Sequence, residues 1–464
     1  MSTFTGHPLF RGGFTAPTRF EAAIHDCEVV GQIPSDIHGT FYRLQCDFEY
    51  MPPKNEWATG FNGDGHVSMF RFANGSVDYR GRYVRTERLM AERAVRHRLF
   101  GVYRNPFTDD PSVKGLNRSA ANTHIYWHGG KMLVLKEDSQ PYTIDPHTLD
   151  TIGPYDYDGK LTSQTFSAHP KVDPVTGDMI AYGYQAKGLL TDDVAFYVIN
   201  PRGEIVRETW LKAPFTGIMH DIAITQKHIV LPVVAMTSNM ERLKAGEPMW
   251  EWNPSQQTMV GVFRRDGDGK DIRWFKGPPR MTLHFLNAVT EGNKVLMDLP
   301  VSDSQGTPSQ IKRWIFDLGS KKDEFQEEII ARPNGPLARM DDRFISLPYR
   351  YGYVGHHDAN RGGASGRMTN CYQRVDVHTK EIKTFNAPDG FSLQESCFVP
   401  RTGSTAEGDG YLVGVASNYN TMSSDLVIVD APRMELVATV KLPFRLRGGT
   451  HGAWMPYKDL PFET

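Results

Sequence analysis

The chain has 464 residues, of which 39% are hydrophobic and 23% charged, and its formal net charge is −2. This length suffices for one large domain or two to three ordinary ones, and the near-neutral charge gives no footprint for nucleic acid. No apolar run approaches the roughly 18–20 residues of a membrane span, the start MSTFTGHPLFRGG carries no secretory signal, and the four cysteines form no C-x-x-C pair, which together predict a cytoplasmic protein without a membrane partner.

In chain order, the predicted elements are a short helix around residues 86–94 and then almost only strands. Runs of β-branched and aromatic residues are joined by turns that carry Gly, Asn, Asp or Pro, a pattern typical of β-hairpins. We expect hairpins at 128–138, 177–185, 194–210, 221–234, 259–275, 287–301, 371–385 and 426–440. Recurring hairpins without helices between them indicate an all-β fold, either a propeller or a large closed barrel. No shift in composition divides the chain, so we expect one domain over residues 1–464.

The stretch MTSNMERLKAGEPMWEWNPSQ (236–256) interrupts the strand pattern with three methionines, two tryptophans and several charges. It reads as a long insertion between strands. Long loops on a rigid scaffold often cover a substrate site, although a surface excursion explains the same composition. We expect it to contribute to the substrate site.

Histidines stand in an unusual context at four places. His169, His220 and His284 each lie where a predicted strand begins, among small or apolar neighbours, and His451 lies between glycines in RGGTHGAWMP (447–456). Taken singly, each is better explained as a hydrogen-bonded core histidine. Their separations of 51, 64 and 167 residues would place each in a different blade of a propeller. Together they predict a ring of four imidazoles on a central axis.

Four imidazoles without a thiolate match a structural zinc site poorly. Imidazole also suits Fe(II), and four ligands leave open positions on a six-coordinate metal, which predicts an iron that reacts with O2. Glu137 and Glu395 stand in apolar surroundings and are candidates to accept hydrogen bonds from metal-bound imidazoles. Two such carboxylates would balance the charge of Fe(II). The alternative is that both are exposed strand residues.

Eight segments distributed over nearly the whole chain, in this order, resemble one protein family: EVVGQIPSDIHGTFYRLQ (28–45), FNGDGHVSMFRF (61–72), SAANTHIYW (119–127), SAHPKVDPVTGD (167–178), GIMHDIAIT (217–225), LHFLNA (283–288), ESCFVPR (395–401) and GGTHGAWMP (448–456). The chain resembles the carotenoid cleavage oxygenases, and among them the stilbene-cleaving (lignostilbene dioxygenase) branch. The resemblance implies a seven-bladed β-propeller with a cap of loops and helix over an axial, non-haem Fe(II).

The resemblance also implies roles for single residues. The four metal ligands would be His169, His220, His284 and His451, with Glu137 and Glu395 behind them. Thr123 would lie near an open metal position and limit what binds there. The family commonly has a third glutamate before the RYGY segment, where this chain reads GPLARMDDRF (335–344) with Pro336 at the matching place. Either an acid such as Glu328 substitutes, or one histidine uses another acceptor.

Three further residues match the substrate cavity of the stilbene-cleaving branch. These are Phe61, Tyr103 and Lys136, of which Tyr103 and Lys136 are the expected catalytic residues because they would hold the phenolic hydroxyl. A partly buried lysine can share the proton of a phenol, and a phenolate para to a double bond pushes electron density onto that bond. Phe61 would provide a flat apolar wall for the ring.

The resulting expectation is an Fe(II)- and O2-dependent dioxygenase that splits the central C=C bond of a 4-hydroxystilbene into two aromatic aldehydes. Two alternatives stand beside it. One is an apocarotenoid-cleaving oxygenase on the same scaffold, which would need a longer apolar tunnel. The other is a metal-free propeller that acts as a binding module.

Overall fold

The computed structural model describes residues 13–51, 60–333, 335, 337–361 and 369–463. Within them almost every regular element is a strand. The exceptions are α1 (Glu87–Val95), α2 (Met240–Lys244) and a few single turns of 3₁₀ helix. The predicted helix at 86–94 is confirmed as α1, which begins after Thr86 because the Thr86 hydroxyl accepts a hydrogen bond from the Leu89 N–H at 3.2 Å.

The strands form seven antiparallel sheets. The first contains β1 (Ala22–Ile24), β3 (Gly39–Asp47), β4 (Asp64–Ala73), β5 (Ser76–Tyr83) and β32 (Gly449–Pro456). The second contains β6 (His124–His128), β7 (Lys131–Leu135), β8 (Tyr142–Ile144) and β9 (Thr151–Pro154). The third contains β10 (Lys171–Val172), β11 (Met179–Tyr184), β12 (Asp193–Ile199) and β13 (Ile205–Lys212).

The fourth sheet contains β14 (Gly217–Ile218), β15 (Ala223–Ile224), β16 (His228–Thr237), β17 (Glu251–Trp252), β18 (Thr258–Arg264) and β19 (Arg273–Gly277). The fifth contains β20 (Asn287–Glu291), β21 (Lys294–Val301), β22 (Gln310–Asp317) and β23 (Gln326–Ala331). The sixth contains β24 (Ala338–Met340), β25 (Tyr351–His356), β26 (Cys371–Asp376) and β27 (Ile382–Asn386). The seventh contains β28 (Phe391–Pro400), β29 (Gly410–Asn418), β30 (Ser423–Asp430), β31 (Glu435–Lys441) and β2 (Val29–Gly31).

The core is divided among the gaps between neighbouring sheets. Seven clusters of buried apolar side chains each join one sheet to the next around the ring. On β11, for example, Ile180, Tyr182 and Tyr184 face the fourth sheet, whereas Met179 and Ala181 face the second. Because successive side chains of a strand point to opposite faces, a sheet with a neighbour on both sides is apolar on both. This arrangement is a seven-bladed β-propeller, as expected.

The ring closes through strands from both ends of the sequence. β32 pairs with β3, so the last strand completes the first blade, and β2 pairs with β31, so an early strand completes the last blade. The pairing requires glycine at Gly39, where φ is +152° and a Cβ atom would lie 2.5 Å from the Met455 carbonyl oxygen. His451 is thus supplied by the strand that closes the ring.

The hairpins between the third and fourth strands of several blades share one turn. The side chains of Asp145, Asn200, Asp317, Asp376 and Asp430 each accept backbone N–H groups two to four residues further along the chain. This Asx turn is a local signal that survives although the flanking residues differ. Because the blades need to share only such single turn residues, their backbones can be alike while the sequence has no repeat of fixed period.

One of these turns predicts a pH-dependent stability. Burial alone would raise the pKa of Asp376, but the N–H groups of Thr379 and His378 and the Arg350 guanidinium outweigh it and hold the pKa at about 2. A lowered carboxyl pKa stabilises the fold above pH 4, and this contribution disappears as the pH falls toward 2. We expect Asp376→Asn to lower the melting temperature by about 2 °C at pH 7, and the difference from wild type to vanish near pH 2.

The matched control is Asp389→Asn, because Asp389 is exposed. Its melting temperature should follow wild type at both pH values. Equal melting temperatures for Asp376→Asn and wild type at pH 7 would contradict the prediction.

No helix among the described residues is long and apolar enough to cross a membrane. The helix α1, the segment 98–122 and the insertion 236–256 are joined by hydrogen bonds. Glu92 in α1 accepts hydrogen bonds from the N–H groups of Leu99 and Phe100, each at 3.0 Å, and Asn105 donates to the Leu243 carbonyl at 2.9 Å. They form the cap of loops and helix that was expected.

Candidate active site and metal centre

The four histidines singled out from the sequence meet at the centre of the ring, and each comes from a different blade. His169 and His284 lie just before β10 and β20, His220 follows β14, and His451 lies within β32. Each of these four strands lies at one end of the strand order of its sheet. A residue at this place points toward its counterparts in the other blades, which is why residues so far apart in sequence come together.

The four rings present one nitrogen each to a common point. The Nε2 atoms of His169 and His220 are 3.1 Å apart, and those of His284 and His451 are 3.2 Å apart. One ligand atom from every ring lies within 4.8 Å of the others. Two imidazole nitrogens that bind one metal at about 2.1 Å are about 3.0 Å apart when they meet at a right angle. The cluster therefore fits a single metal ion.

Two carboxylates orient two of these rings. Nδ1 of His220 lies 2.6 Å from Glu137 Oε2, and Nδ1 of His451 lies 2.9 Å from Glu395 Oε1. The second oxygen of Glu395, Oε2, accepts the Gly452 N–H at 3.1 Å. A carboxylate can only accept, so Nδ1 of each ring carries the proton and Nε2 keeps its lone pair for a metal. Both glutamates are thus buried and paired, not exposed.

The electrostatics of the site keep the carboxylates charged and at least one imidazole neutral. Burial opposes ionisation of Glu137, yet His220, Arg104 and the Tyr103 hydroxyl hold its pKa at about 2. The pKa of Glu395 is likewise lowered, against the effect of burial, by His451 and Arg339. Burial and the neighbouring histidines push the pKa of His169 well below its usual value. A neutral ring is the form that binds a metal.

Thr123 lies in the loop before β6 and is buried. Its hydroxyl donates to Asn122 Oδ1 at 3.0 Å, and its carbonyl accepts the His451 N–H at 3.3 Å. Pro336, which stands where the family commonly has its third glutamate, lies outside the described residues. Glu328 lies on β23, the outermost strand of its blade, where it accepts from Lys380 at 2.9 Å. Its place at the rim does not suit a partner of an axial histidine.

The three residues expected to hold the substrate also lie together. Lys136, only 4% exposed, donates to the Phe61 carbonyl at 2.9 Å, and its ammonium lies 4.5 Å from the centre of the Tyr103 ring. The Tyr103 hydroxyl donates to Glu137 Oε1 at 2.6 Å. Burial, and then the charge of Glu137, raise the pKa of Tyr103 well above its usual value, so its hydroxyl keeps its proton. Of these three residues, only Phe61 has an exposed side chain.

Sequence reasoning missed several neighbours of the site. Tyr184, at the end of β11, also donates to Glu137 Oε1, at 3.0 Å, and its ring is covered by the Arg104 guanidinium. A fifth histidine, His124, places its Nδ1 3.1 Å from the Ala168 carbonyl and its Nε2 3.3 Å from that of Gly452. The one available signal for His124 was its position directly after Thr123. Nothing local distinguishes Tyr184 from other core tyrosines.

A cavity of about 680 Å³ reaches the histidine cluster, with His169, His284 and His451 in its wall. Its other walls include the ion pair between Lys171 and Asp221, whose charged atoms are 2.7 Å apart, and Arg339. Phe61, Tyr103 and Lys136 are not among the described residues that line it.

The insertion 236–256 contains α2 and β17. Asn105 donates to the carbonyls of Leu243 and Glu247, and the Trp250 ring lies 6.3 Å from that of Tyr184. The insertion thus supports the segment that carries Tyr103. Contact with a substrate stays a prediction.

The fold is a propeller of seven blades with a candidate metal site of four histidines at its centre, and two of these histidines are paired with glutamates. The sequence profile of the RPE65 family, described as retinal pigment epithelial membrane protein, matches residues 15–456. The chain therefore belongs to the RPE65 family, that of the carotenoid cleavage oxygenases.

Individual relatives indicate the class of enzyme within this family. The chain is 41% identical to an isoeugenol monooxygenase of Pseudomonas putida, over 98% of this chain and 99% of the relative. It is 40% identical to lignostilbene-α,β-dioxygenase isozyme III of Sphingomonas paucimobilis, over 97% of each. The crystal structure of a Pseudomonas brassicacearum lignostilbene dioxygenase superposes with a TM-score of 0.95 at 36% identity, covering 98% of this chain and 100% of that one. The chain is accordingly an oxygenase.

Proposed function

We propose that this protein is an Fe(II)-dependent dioxygenase that uses O2 to cleave the central C=C bond of 4-hydroxystilbenes, of the resveratrol or lignin-derived type, into two aromatic aldehydes. The observation that carries the proposal is the short link between the two halves of the site. Glu137 alone separates the Tyr103 hydroxyl from the His220 ring, with a hydrogen bond of 2.6 Å on each side. A phenol held at Tyr103 would therefore lie close to the metal cluster.

The proposed ligands of Fe(II) are His169, His220, His284 and His451. Four neutral imidazoles without a thiolate suit Fe(II), which would supply the activation of O2 at its remaining positions. Glu137 and Glu395 fix two of the rings and bring two negative charges to a site for a divalent cation. We propose that Thr123, whose carbonyl binds the His451 N–H, limits access beside the metal.

The proposed phenol site has one acceptor and one donor for a hydroxyl group. The Tyr103 proton is committed to Glu137, so the Tyr103 oxygen is left to accept the proton of the phenol. Lys136 gives one N–H to the Phe61 carbonyl and keeps others for the phenolic oxygen. A phenol polarised in this way gains phenolate character, and its para double bond becomes richer in electrons. Phe61 would flank the aromatic ring.

The isoeugenol monooxygenase relative favours a second candidate reaction, cleavage of the propenyl double bond of isoeugenol. Isoeugenol also has its double bond para to a phenolic hydroxyl, so the same Tyr103 and Lys136 contacts would serve it. The two candidates differ in whether a second aromatic ring is accommodated. The insertion 236–256 is our proposed contributor to that part of the site.

The test is a product assay. Iron-loaded protein is given resveratrol or isoeugenol in air, and the aldehydes are quantified by chromatography, with anaerobic samples as the control. We expect resveratrol to yield two aldehydes in equal amounts, only when O2 is present, and with a higher kcat/KM than isoeugenol. Turnover of isoeugenol alone would establish the second candidate. Turnover of a long polyene aldehyde, with both phenols left intact, would replace the proposal by apocarotenoid cleavage.

We also propose that residues 1–464 act as one domain. The support is the closure of the ring, in which β3 pairs with β32 and β2 pairs with β31. Separating the ends of the chain would open the first and last blades together.

A further inference from the structure

Three side chains converge on the carboxylate of Glu137. Its Oε2 lies 2.6 Å from Nδ1 of His220, and its Oε1 accepts both the Tyr103 hydroxyl at 2.6 Å and the Tyr184 hydroxyl at 3.0 Å. Each of the three donors comes from a different part of the fold. His220 follows β14, Tyr103 lies in the cap, and Tyr184 ends β11.

Tyr184 differs from Tyr103 in what it can touch. Its side chain is 0% exposed, its ring is 4.6 Å from the Arg104 guanidinium carbon, and the Trp250 ring lies 6.3 Å from it. Arg104 is itself tied to Gln185 Oε1 at 3.2 Å. Tyr184 therefore has no open face for a substrate, and its polar atom is directed at Glu137.

We propose that Tyr184 is a positioning residue of the metal centre, which holds the Glu137 carboxylate so that one oxygen stays on His220 and the other on Tyr103. The effect on the metal follows from this contact alone. The effect on the phenol rests in addition on the proposed function.

The physical reason is the softness of the last glutamate torsion. Rotation of a carboxylate about its terminal bond has a broad, twofold profile, so side-chain packing hardly fixes it. Hydrogen bonds have to fix it instead. With Tyr184 present, Oε1 is held from two directions. Without it, Glu137 can turn about the single remaining Tyr103 contact and move its second oxygen away from the His220 N–H.

The test compares Tyr184→Phe with Tyr197→Phe. Tyr197 lies on β12 of the same blade and is equally buried. Its hydroxyl accepts the Ser163 N–H at 2.9 Å, and it does not contact Glu137. Co(II), added to metal-free protein, is the probe. Its dissociation constant is measured by competition with a chelator, its environment by visible absorption, and kcat and KM are measured on the iron-loaded variants.

We expect Tyr184→Phe to weaken Co(II) binding by about tenfold and to move the Co(II) absorption bands, because outer partners of metal-bound histidines affect metal affinity on this scale. Its kcat should fall while KM changes by less than about twofold, since Tyr184 does not touch the substrate. Tyr197→Phe should match wild type in Co(II) affinity and spectrum. Both variants lose a buried hydroxyl group, so a difference between them reports on the contact with Glu137.

A second variant keeps the test decisive. Tyr103→Phe removes the other donor to the same oxygen, so its effect on Co(II) affinity should not add simply to that of Tyr184→Phe in the double variant. Equal Co(II) affinity in Tyr184→Phe and Tyr197→Phe, or strictly additive effects of the two tyrosines, would overturn the proposal. Failure of the wild-type protein to cleave either phenol would refute the proposed function, while the Co(II) comparison would still decide the role of Tyr184.

Discussion

Replacing Lys136 by methionine is expected to lower kcat/KM for a 4-hydroxystilbene by about 100-fold or more and to leave the bound metal unchanged. Methionine keeps the length and apolar bulk of the lysine stem, so the packing around this buried position is retained. What it removes is the ammonium group, which lies 4.5 Å from the Tyr103 ring centre and 2.9 Å from the Phe61 carbonyl.

The size of this effect follows from where the charge stands. Lys136 is 4% exposed, so its charge acts on a phenolic oxygen through protein and not through bulk water. Negative charge grows on that oxygen as the double bond becomes electron-rich, and a fixed cation stabilises it more in this state than in the neutral phenol. An interaction that strengthens along the reaction lowers the barrier, so kcat should fall more than binding weakens.

Lys312→Met is the matched control, because Lys312 is also buried but pairs with Asp303 and Glu327 in the fifth blade. It should lose stability yet keep its activity per folded molecule. A stilbene without ring hydroxyls should be a poor substrate for wild type and Lys136→Met alike. Full activity of Lys136→Met on the hydroxylated stilbene would refute activation of the phenol by this residue.

Much of the fold could be predicted from local patterns. The hairpins follow from alternating residues around turn-forming ones, and α1 follows from its helix formers after Thr86. The number of blades could not be derived in this way, because the blades share a geometry and not a sequence. Asp145 and Asp376 make this turn within IDPHTLD and VDVHTKE, which share D-x-H-T, but Asn200 makes the same turn within INPRGE, which lacks those letters.

The candidate site was predictable to the extent that each residue carries its own signal. His169 and His451 stand out through their neighbours, and Glu137 stands out as an acid among apolar residues. The hydrogen bonds that join Tyr103 and Tyr184 to Glu137 span 34 and 47 residues. Such contacts depend on how blades and cap are placed against each other, which no short stretch of sequence encodes.

Replacing His220 by alanine is expected to abolish stoichiometric metal binding and reduce cleavage to background. Of the four histidines, His220 is the one that Glu137 orients, so its loss removes a metal ligand and disconnects the phenol site from the metal cluster. We expect the dissociation constant for Fe(II) or Co(II) to rise by more than about 100-fold, beyond the range seen when only an outer partner is lost.

Thermal unfolding with and without metal measures this loss of metal binding independently of any substrate. A ligand that binds only the folded state at about 100 times its dissociation constant adds about 2.7 kcal/mol, which corresponds to about 3 °C for a chain of this length. Wild type should show this gain when Co(II) is added, and His220→Ala should not.

His128→Ala provides the comparison that separates a ligand from an ordinary buried histidine. His128 is 8% exposed and its Nε2 lies 3.0 Å from the Gly177 carbonyl, at the far end of β6 from the cluster. The His128→Ala variant should have a lower melting temperature than wild type but keep the full rise on addition of Co(II). The lost core contact destabilises the metal-free and the metal-bound protein equally. A wild-type protein without any such gain, whose His220→Ala and His128→Ala variants are destabilised alike, would instead support a metal-free propeller that binds rather than oxidises.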